Sequence, residues 1–284
     1  MVKRRGIAKE ILNWAKIMAH FLYKMSIDLR CIVWYHLQRQ QNKIITERDD
    51  NNMQYLGGKS RIANSIAKII NENDCKVFVS LFCGSCAVET KVKASKKILN
   101  DKHPYLISMW QSLQEGWEPP DTITKEEYYA IKRELPYNPA LAGFVGFGCS
   151  FGGKWFGGYA SNKKGDNYCA RSKKSVLKDL PGVVDATFTC MDYKEVTIPD
   201  GAVVYVDPPY YNVTKYTTGE FDHNKFWDYM RYLSKRCKVY ISEQDAPSDF
   251  ECIWEQQVTR TLDRDKANQP KKIEKLFVWK GDEI

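Results

Sequence analysis

Apolar residues recur along this chain at two spacings, and the alternation between them lays out its elements. Helical spacing comes first: Ile7, Ile11, Trp14, Met18, Phe21 and Met25 predict an amphipathic helix within residues 1–52. Ile62, Ile66, Ile69 and Ile70 predict a second helix, with Ser60 as its cap. Val77 to Phe82 is then a continuous hydrophobic run, read as a strand; Cys83-Gly84-Ser85-Cys86-Ala87 is a small-residue turn, followed by a helix to about Lys96. A second strand, Lys97 to Asn100, stops at Asp101. From Pro104 to about Asp185 the strand pattern lapses into aromatics, glycines and basic residues. It resumes with a strand from Thr187 ending at Asp192, a strand Val203–Val206, a helix Phe221–Arg236 with Phe226, Met230 and Leu233 inward, and a strand Lys238–Ser242. Two last strands, Phe250–Val258 and Ile273–Trp279, are joined by a charged loop and predict an antiparallel pair at a sheet edge. Strands alternating with helices place the chain in the α/β class.

At 284 residues the chain has ample length for a buried core, as one large domain or two smaller ones. The formal net charge of +8 is uneven, with +5 in residues 1–52 and +3 in the rest, so charge alone makes a weak case for nucleic acid. Lys9, Lys16, His20 and Lys24 interrupt the first apolar run, which falls short of a membrane span; Arg48 to Asn52 reads as a linker. For the leader itself a surface helix, a basic DNA-facing arm, a weak membrane contact and a non-native extension all stay open. Nine irregularly spaced cysteines and no cleavable signal pattern argue for reduced thiols in a cytoplasmic setting. Cys83 and Cys86 form a C-x-x-C, but none of the four histidines is placed to complete a zinc site, and no metal is expected.

The candidate chemistry concentrates where strands end. Val203–Val206 runs into Asp207-Pro208-Pro209-Tyr210. Two prolines cannot donate to a ladder, so the Asp207 carboxylate and the Pro208 carbonyl are left facing whatever lies beyond the strand, beside the flat ring of Tyr210. Two acceptors and an aromatic face suit an exocyclic amino group on a heterocycle. The strand, small-residue turn and second strand ending at Asp101, which lies 17 positions after Gly84, are the parts with which doubly wound sheets hold a nucleoside; a helix cap for the segment starting at Pro104 is the competing role for Asp101. Gly57 and Gly58, before Lys59 and a helix, allow close approach to the backbone. Neither this site nor Gly148 to Lys154 is a phosphate loop: the first lacks the leading glycine, and the second has Trp155 where a hydroxyl is needed. The run from Phe144 to Tyr159, with Lys154 and Trp155 and then Lys163, Lys164, Arg171, Lys173 and Lys174, interleaves aromatics with cations as a nucleic-acid contact would. A glycine-rich loop packed on its own aromatics accounts for the same residues.

In this order the motifs resemble the Dam-like, D12 class DNA adenine-N6 methyltransferases, especially the short phage and prophage forms, from about Met53 to the C-terminus. The resemblance implies a Rossmann-like S-adenosylmethionine-dependent methyltransferase sheet with an inserted target recognition region. Residues 53–103 would be the cofactor-binding part, 104–185 the recognition region and 186–284 the catalytic part, behind a helical extension 1–52. It implies S-adenosylmethionine as cofactor and double-stranded DNA as partner, with no obligate protein partner. Tyr55, Gly57, Gly58, Lys59, Phe82, Gly84, Asp101 and Asp207 would bind the cofactor; Asp207, Pro208, Pro209 and Tyr210 would be catalytic; Asp192, Lys154, Trp155 and Tyr210 would meet the substrate, Asp192 approaching the target base. Cys86 departs from the pattern, standing where the family usually has a second glycine. Transfer to cytosine N4 or to RNA adenine, and a non-catalytic DNA-binding relative, are the alternatives.

Overall fold

The computed structural model describes residues 55–135, 137–209, 221–259 and 271–281. The expectations for residues 1–52, for Tyr210 and for the loop between the last two strands lie outside them. In chain order the elements are α1 (Ala63–Ile70), β1 (Val77–Ser80), β2 (Lys96–Asn100), α2 (Pro104–Gln114), α3 (Lys125–Arg133), α4 (Pro139–Gly148), α5 (Tyr168–Asp179), β3 (Thr187–Thr189), β4 (Val203–Val206), α6 (His223–Ser234), β5 (Lys238–Glu243), β6 (Phe250–Thr259) and β7 (Lys271–Trp279).

All seven strands form one sheet in the order β3-β2-β1-β4-β5-β7-β6. The first five are parallel; β7 runs antiparallel between β5 and β6, so the expected terminal pair is present with β6 at the edge. Alternation across the pleat sends β-strand side chains into two cores. Phe78, Val203, Tyr205, Tyr240 and Leu276 face α1, α2 and α4. Val79, Val204, Val206, Val239, Ile241 and Phe277 face α6 through Phe226, Met230 and Leu233. This is a doubly wound α/β/α sandwich, and β1 and β4 lie side by side at the point where the strand order reverses.

Three local expectations are corrected. Ile62, with no side-chain cap bond, precedes α1, so Ser60 is not its cap. After β1 the chain makes a series of turns through Lys91 and no helix, closed by Cys86 N donating to Cys83 O at 2.7 Å and Lys91 N to Val88 O at 2.9 Å. Residues 144–148, read as the start of an irregular glycine-rich stretch, are the end of a largely buried helix. Asn138 caps α4 through its side chain, and the glycines let neighbours close in: a Cβ on Gly143 would stand 2.0 Å from the Tyr105 carbonyl oxygen. Residues 104–185 are joined to the sheet, since Trp110 of α2 stacks on Phe188 of β3 at 6.0 Å.

Candidate functional site at the carboxyl ends of β1, β2 and β4

Where strand order reverses in a parallel sheet, the connections leave in opposite directions and a crevice opens beyond the strand ends. Here that crevice lies beyond β1 and β4, and the turn at Gly84, the acid Asp101 and the Asp207-Pro208 step all follow strands at that end of the sheet.

The turn after β1 is held from several sides. Gly84 has φ +48°, and a Cβ there would stand 3.0 Å from a Tyr55 ring carbon, so both conformation and space call for glycine. Its N–H donates to Asp101 Oδ2 at 3.0 Å, and its carbonyl accepts from Trp110 Nε1 at 3.1 Å. The other Asp101 oxygen accepts from the His103 N–H at 2.9 Å, and burial pushes this carboxyl above its ordinary range. Asp101 thus ties β2 to the turn and caps the approach to α2, and each oxygen keeps acceptor capacity. Behind it the buried Asn100 donates to the carbonyls of Leu81 and Met191, both at 3.1 Å, and accepts from Thr189 Oγ1 at 2.9 Å, lacing the ends of β1, β2 and β3.

The loop before α1 closes on this turn. A Cβ on Gly58 would lie 3.6 Å from Ser85 Oγ, Gly57 has φ +83°, and Leu56 N donates to Gly153 O at 3.1 Å. That last bond brings the loop after α4 over Tyr55. Tyr55 packs on Phe147 at 5.0 Å, and Trp155 lies against His103 at 4.3 Å and Tyr105 at 5.3 Å. Trp155 is thus half-buried in an aromatic cluster, and Lys154 beside it is exposed. The aromatic this loop turns outward is Phe151, 64% exposed. Burial lowers the His103 imidazole in the same cluster to about 4, so it is neutral at physiological pH.

Across the switch point, Asp207 Oδ1 meets Lys59 Nζ at 2.7 Å, and Glu274 Oε2 of β7 lies 3.7 Å from the same ammonium. Pro208 is buried and Pro209 partly so. Below them Ser80 Oγ donates to Glu89 Oε1 at 2.7 Å; burial, with a smaller contribution from Asp207, pushes Glu89 up to about 7. Phe82 packs on Tyr193 at 5.4 Å, toward the α6 side. Asp192 is not beside Asp207. It follows β3, three strands from β4, a separation on the order of 14 Å, and pairs with Lys102 at 3.1 Å. It thus stands on the Asp101 side of the crevice. Among the described residues no group of three or more His, Cys, Asp or Glu could hold a metal ion.

Glu89, Asn100, Trp110 and Glu274 are the residues that sequence reasoning passed over. For Glu89 and Glu274 a signal existed, an acid inside an apolar or alternating run; Trp110 gave none.

Residues 55–140 match the family model described as D12 class N6 adenine-specific DNA methyltransferase. No curated protein matches the chain. Among solved structures it is similar to a putative RNA methyltransferase from Pyrococcus horikoshii, with 9% identity over 78% of this chain and 82% of that one and a TM-score of 0.38. It is also similar to the tRNA (m1A58) methyltransferase of Aquifex aeolicus, with 12% identity over 82% and 71% and a TM-score of 0.34. A putative class I S-adenosylmethionine-dependent methyltransferase from Listeria monocytogenes gives 11% identity over 93% and 71%, with a TM-score of 0.35. Likenesses at this level say nothing of substrate.

Proposed function

We propose that the chain transfers a methyl group from S-adenosylmethionine to the N6 amino nitrogen of adenine in double-stranded DNA, in a cytoplasmic setting. The observation that carries this reading is the placement of Asp207 and Pro208 at the end of β4, next to the strand whose glycine turn is tied to Asp101. The match of residues 55–140 supports the same assignment.

The residues present fit the cofactor. Tyr55 covers the side of Gly84 where a Cβ would stand, so what this turn offers is Asp101, whose carboxylate keeps acceptor capacity for ribose hydroxyls. Asp192, which follows the neighbouring β3 and pairs with Lys102, adds a second acid on the same side of the crevice. Bound S-adenosylmethionine would supply an electrophilic methyl on a sulfonium.

Adenine's amino lone pair is delocalised into the ring and is a poor nucleophile. The Asp207 carboxylate, which Lys59 engages through Oδ1 at 2.7 Å, accepts one amino hydrogen; the Pro208 carbonyl accepts the other. Two acceptors on one nitrogen draw it toward a tetrahedral shape and aim its lone pair in line with the methyl. As the amino nitrogen gains the methyl, whose bond to sulfur breaks to leave a neutral thioether, the positive charge on nitrogen is met by the Asp207 carboxylate, which would take up the departing proton. Adenine must leave the duplex to reach this position. Exposed Lys154, Lys163, Lys164 and Lys174, with the outward Phe151, are the groups offered to the DNA.

The test is incorporation of labelled methyl from S-adenosylmethionine into unmethylated DNA and into RNA, with the modified base identified after digestion. N6-methyladenine from DNA is expected, and Asp207→Ala should lower the rate about 100-fold or more without unfolding the protein. Turnover retained in Asp207→Ala, or label confined to cytosine or RNA, would overturn the assignment.

A further inference from the structure

The loop that follows α4 doubles back on itself as a narrow hairpin. Ser150 bridges Tyr159, Phe151 N donates to Gly158 O at 2.8 Å, and Ala160 N donates to Cys149 O at 2.9 Å. Between these two arms the chain turns at Gly152 and Gly153, with φ +64° and +65°, a conformation that side chains rarely adopt. The turn leaves Phe151 and Lys154 exposed, and Gly153 O accepts from Leu56 N next to Tyr55. An outward aromatic and a cation are thus carried together on one short hairpin. What joins its arms is a buried hydroxyl from another element. Tyr128 of α3 has no exposed surface, and its Oη lies 2.7 Å from Ser150 Oγ on one arm and 3.1 Å from Gly158 N on the other. Ser150 Oγ also lies 2.7 Å from the Gly146 carbonyl, which can only accept, so the serine proton goes there and the tyrosine proton goes to Ser150. The bonds run in one direction, from the Gly158 N–H to Tyr128, to Ser150, to the last turn of α4. Burial raises the phenol above its ordinary range, so it keeps the proton this relay needs.

Resting on the methyl-transfer reading, we infer that Tyr128 is a positioning residue for DNA binding: its hydroxyl fixes the base of the hairpin so that Phe151 and Lys154 meet the duplex in one set orientation. Groups that must engage a ligand together bind it better when their support is set beforehand, because less order has to be gained on binding. For filling the space between Phe156 and Tyr159, whose rings lie 5.2 and 5.7 Å away, a phenylalanine at 128 would serve equally. The hydroxyl adds the tie between the arms. Two further bonds, Lys132 Nζ to Phe156 O at 3.2 Å and Tyr159 Oη to Ile123 O at 2.9 Å, keep the hairpin attached to α3 and the segment before it when that hydroxyl is removed. The transfer step is carried by Asp207 and Pro208 on β4, so Tyr128 acts on DNA affinity and not on the chemistry.

The experiment compares the full chain with Tyr128→Phe, measuring affinity for duplex DNA by fluorescence anisotropy together with kcat and KM for the same duplex. Tyr128→Phe is expected to weaken DNA binding and raise KM about tenfold, the worth of two modest hydrogen bonds, while kcat at saturating DNA stays within about twofold. Ser150→Ala cuts the same tie from the loop side; it should weaken DNA binding in the same direction, and it serves if Tyr128→Phe does not fold. In a background that lacks both tip groups, Phe151→Ala with Lys154→Ala, adding Tyr128→Phe should change DNA affinity by less than about twofold, because the side chains it aims are gone. A purely structural role would instead add its full cost in that background. Unchanged DNA affinity in the folded variants, an equal loss with and without the tip groups, or a fall in kcat with affinity intact would overturn the inference. Failure of the methyl-transfer reading shows separately, as a parent chain that binds duplex DNA and methylates no adenine, and the binding comparison then still decides the role of Tyr128.

Discussion

A carboxyl group with no solvent contact must either find a cation or keep its proton, and Glu89 takes the second course. It is 2% exposed, bonded to Ser80, and pushed up to about 7 from an ordinary 4.5. The folded chain therefore holds this proton between about pH 4.5 and 7 when the unfolded chain does not, and stability falls as pH rises through that window. The full loss above pH 7 is about 3 kcal/mol. His103, lowered to about 4, acts in the opposite sense and costs stability as pH falls below about 6.5. The two overlap, so the difference between parent and Glu89→Gln is the useful quantity. In urea titrations Glu89→Gln should gain on the parent by a few kcal/mol between pH 5 and pH 8; a difference independent of pH would contradict the assignment. Residues of this kind are only half legible in sequence. Asp207 and Gly84 announced themselves by their neighbours, a strand end and a small-residue turn. Trp110, which donates to the carbonyl of Gly84, gave no hint because nothing local distinguishes it from any other helix-face aromatic. Cys86 was read as a small stand-in for glycine, and it does adopt the left-handed conformation a glycine would take, at φ +56°.

Elements were read well where one face meets the core and poorly where that contrast fails. α1 and α6 bury the apolar stripes the spacing predicts, and the terminal hairpin lies at the edge with the right partners. α4 escaped because eight of its ten residues are buried, leaving no polar face to mark a period. The stretch after Cys86 failed the other way: Val88 and Val92 are buried at helical spacing, yet the chain folds as turns, with Lys97 donating to Glu89 O at 2.8 Å and Gly182 O at 2.7 Å. That long-range tie lay beyond any local window. The glycines of α4 yield a sharp test. Gly143→Ala places a methyl 2.0 Å from the Tyr105 carbonyl oxygen and 2.7 Å from its carbon, both backbone, so α2 and α4 must separate. A loss of about 3 kcal/mol or more is expected in equilibrium unfolding, although alanine is the better helix former.

For the whole molecule, strand order is what gathers the site. Gly84 meets Asp101, and Lys59 meets Asp207 and Glu274, because their strands or flanking loops share one sheet, and the βα alternation made that class legible before any contact was known. Which cations face a ligand was not. Lys173 is paired with Asp121 at 3.1 Å and Glu118 at 3.6 Å, and Arg171 with Asp166 at 3.4 Å, while Lys163 and Lys164 are exposed. The double variant Lys163→Ala, Lys164→Ala should weaken binding to any duplex alike and reduce the slope of log affinity against log salt by about two. The same measurement on Lys173→Ala should move the slope little. Among the described residues no helix is long and apolar enough to cross a membrane.

β7 is inserted between β5 and β6, although β6 precedes it in the chain. During synthesis β6 leaves the ribosome with no strand to pair, and the β5 edge stays open until residue 271 and its successors have followed. A ribosome-bound chain that has exposed every residue through 259 already carries Lys59 and Asp207, but not the glutamate on the far side of the ammonium. The ion-pair cluster around Lys59 is therefore completed only once β7 has followed, after the best-marked motifs of the sequence have already emerged.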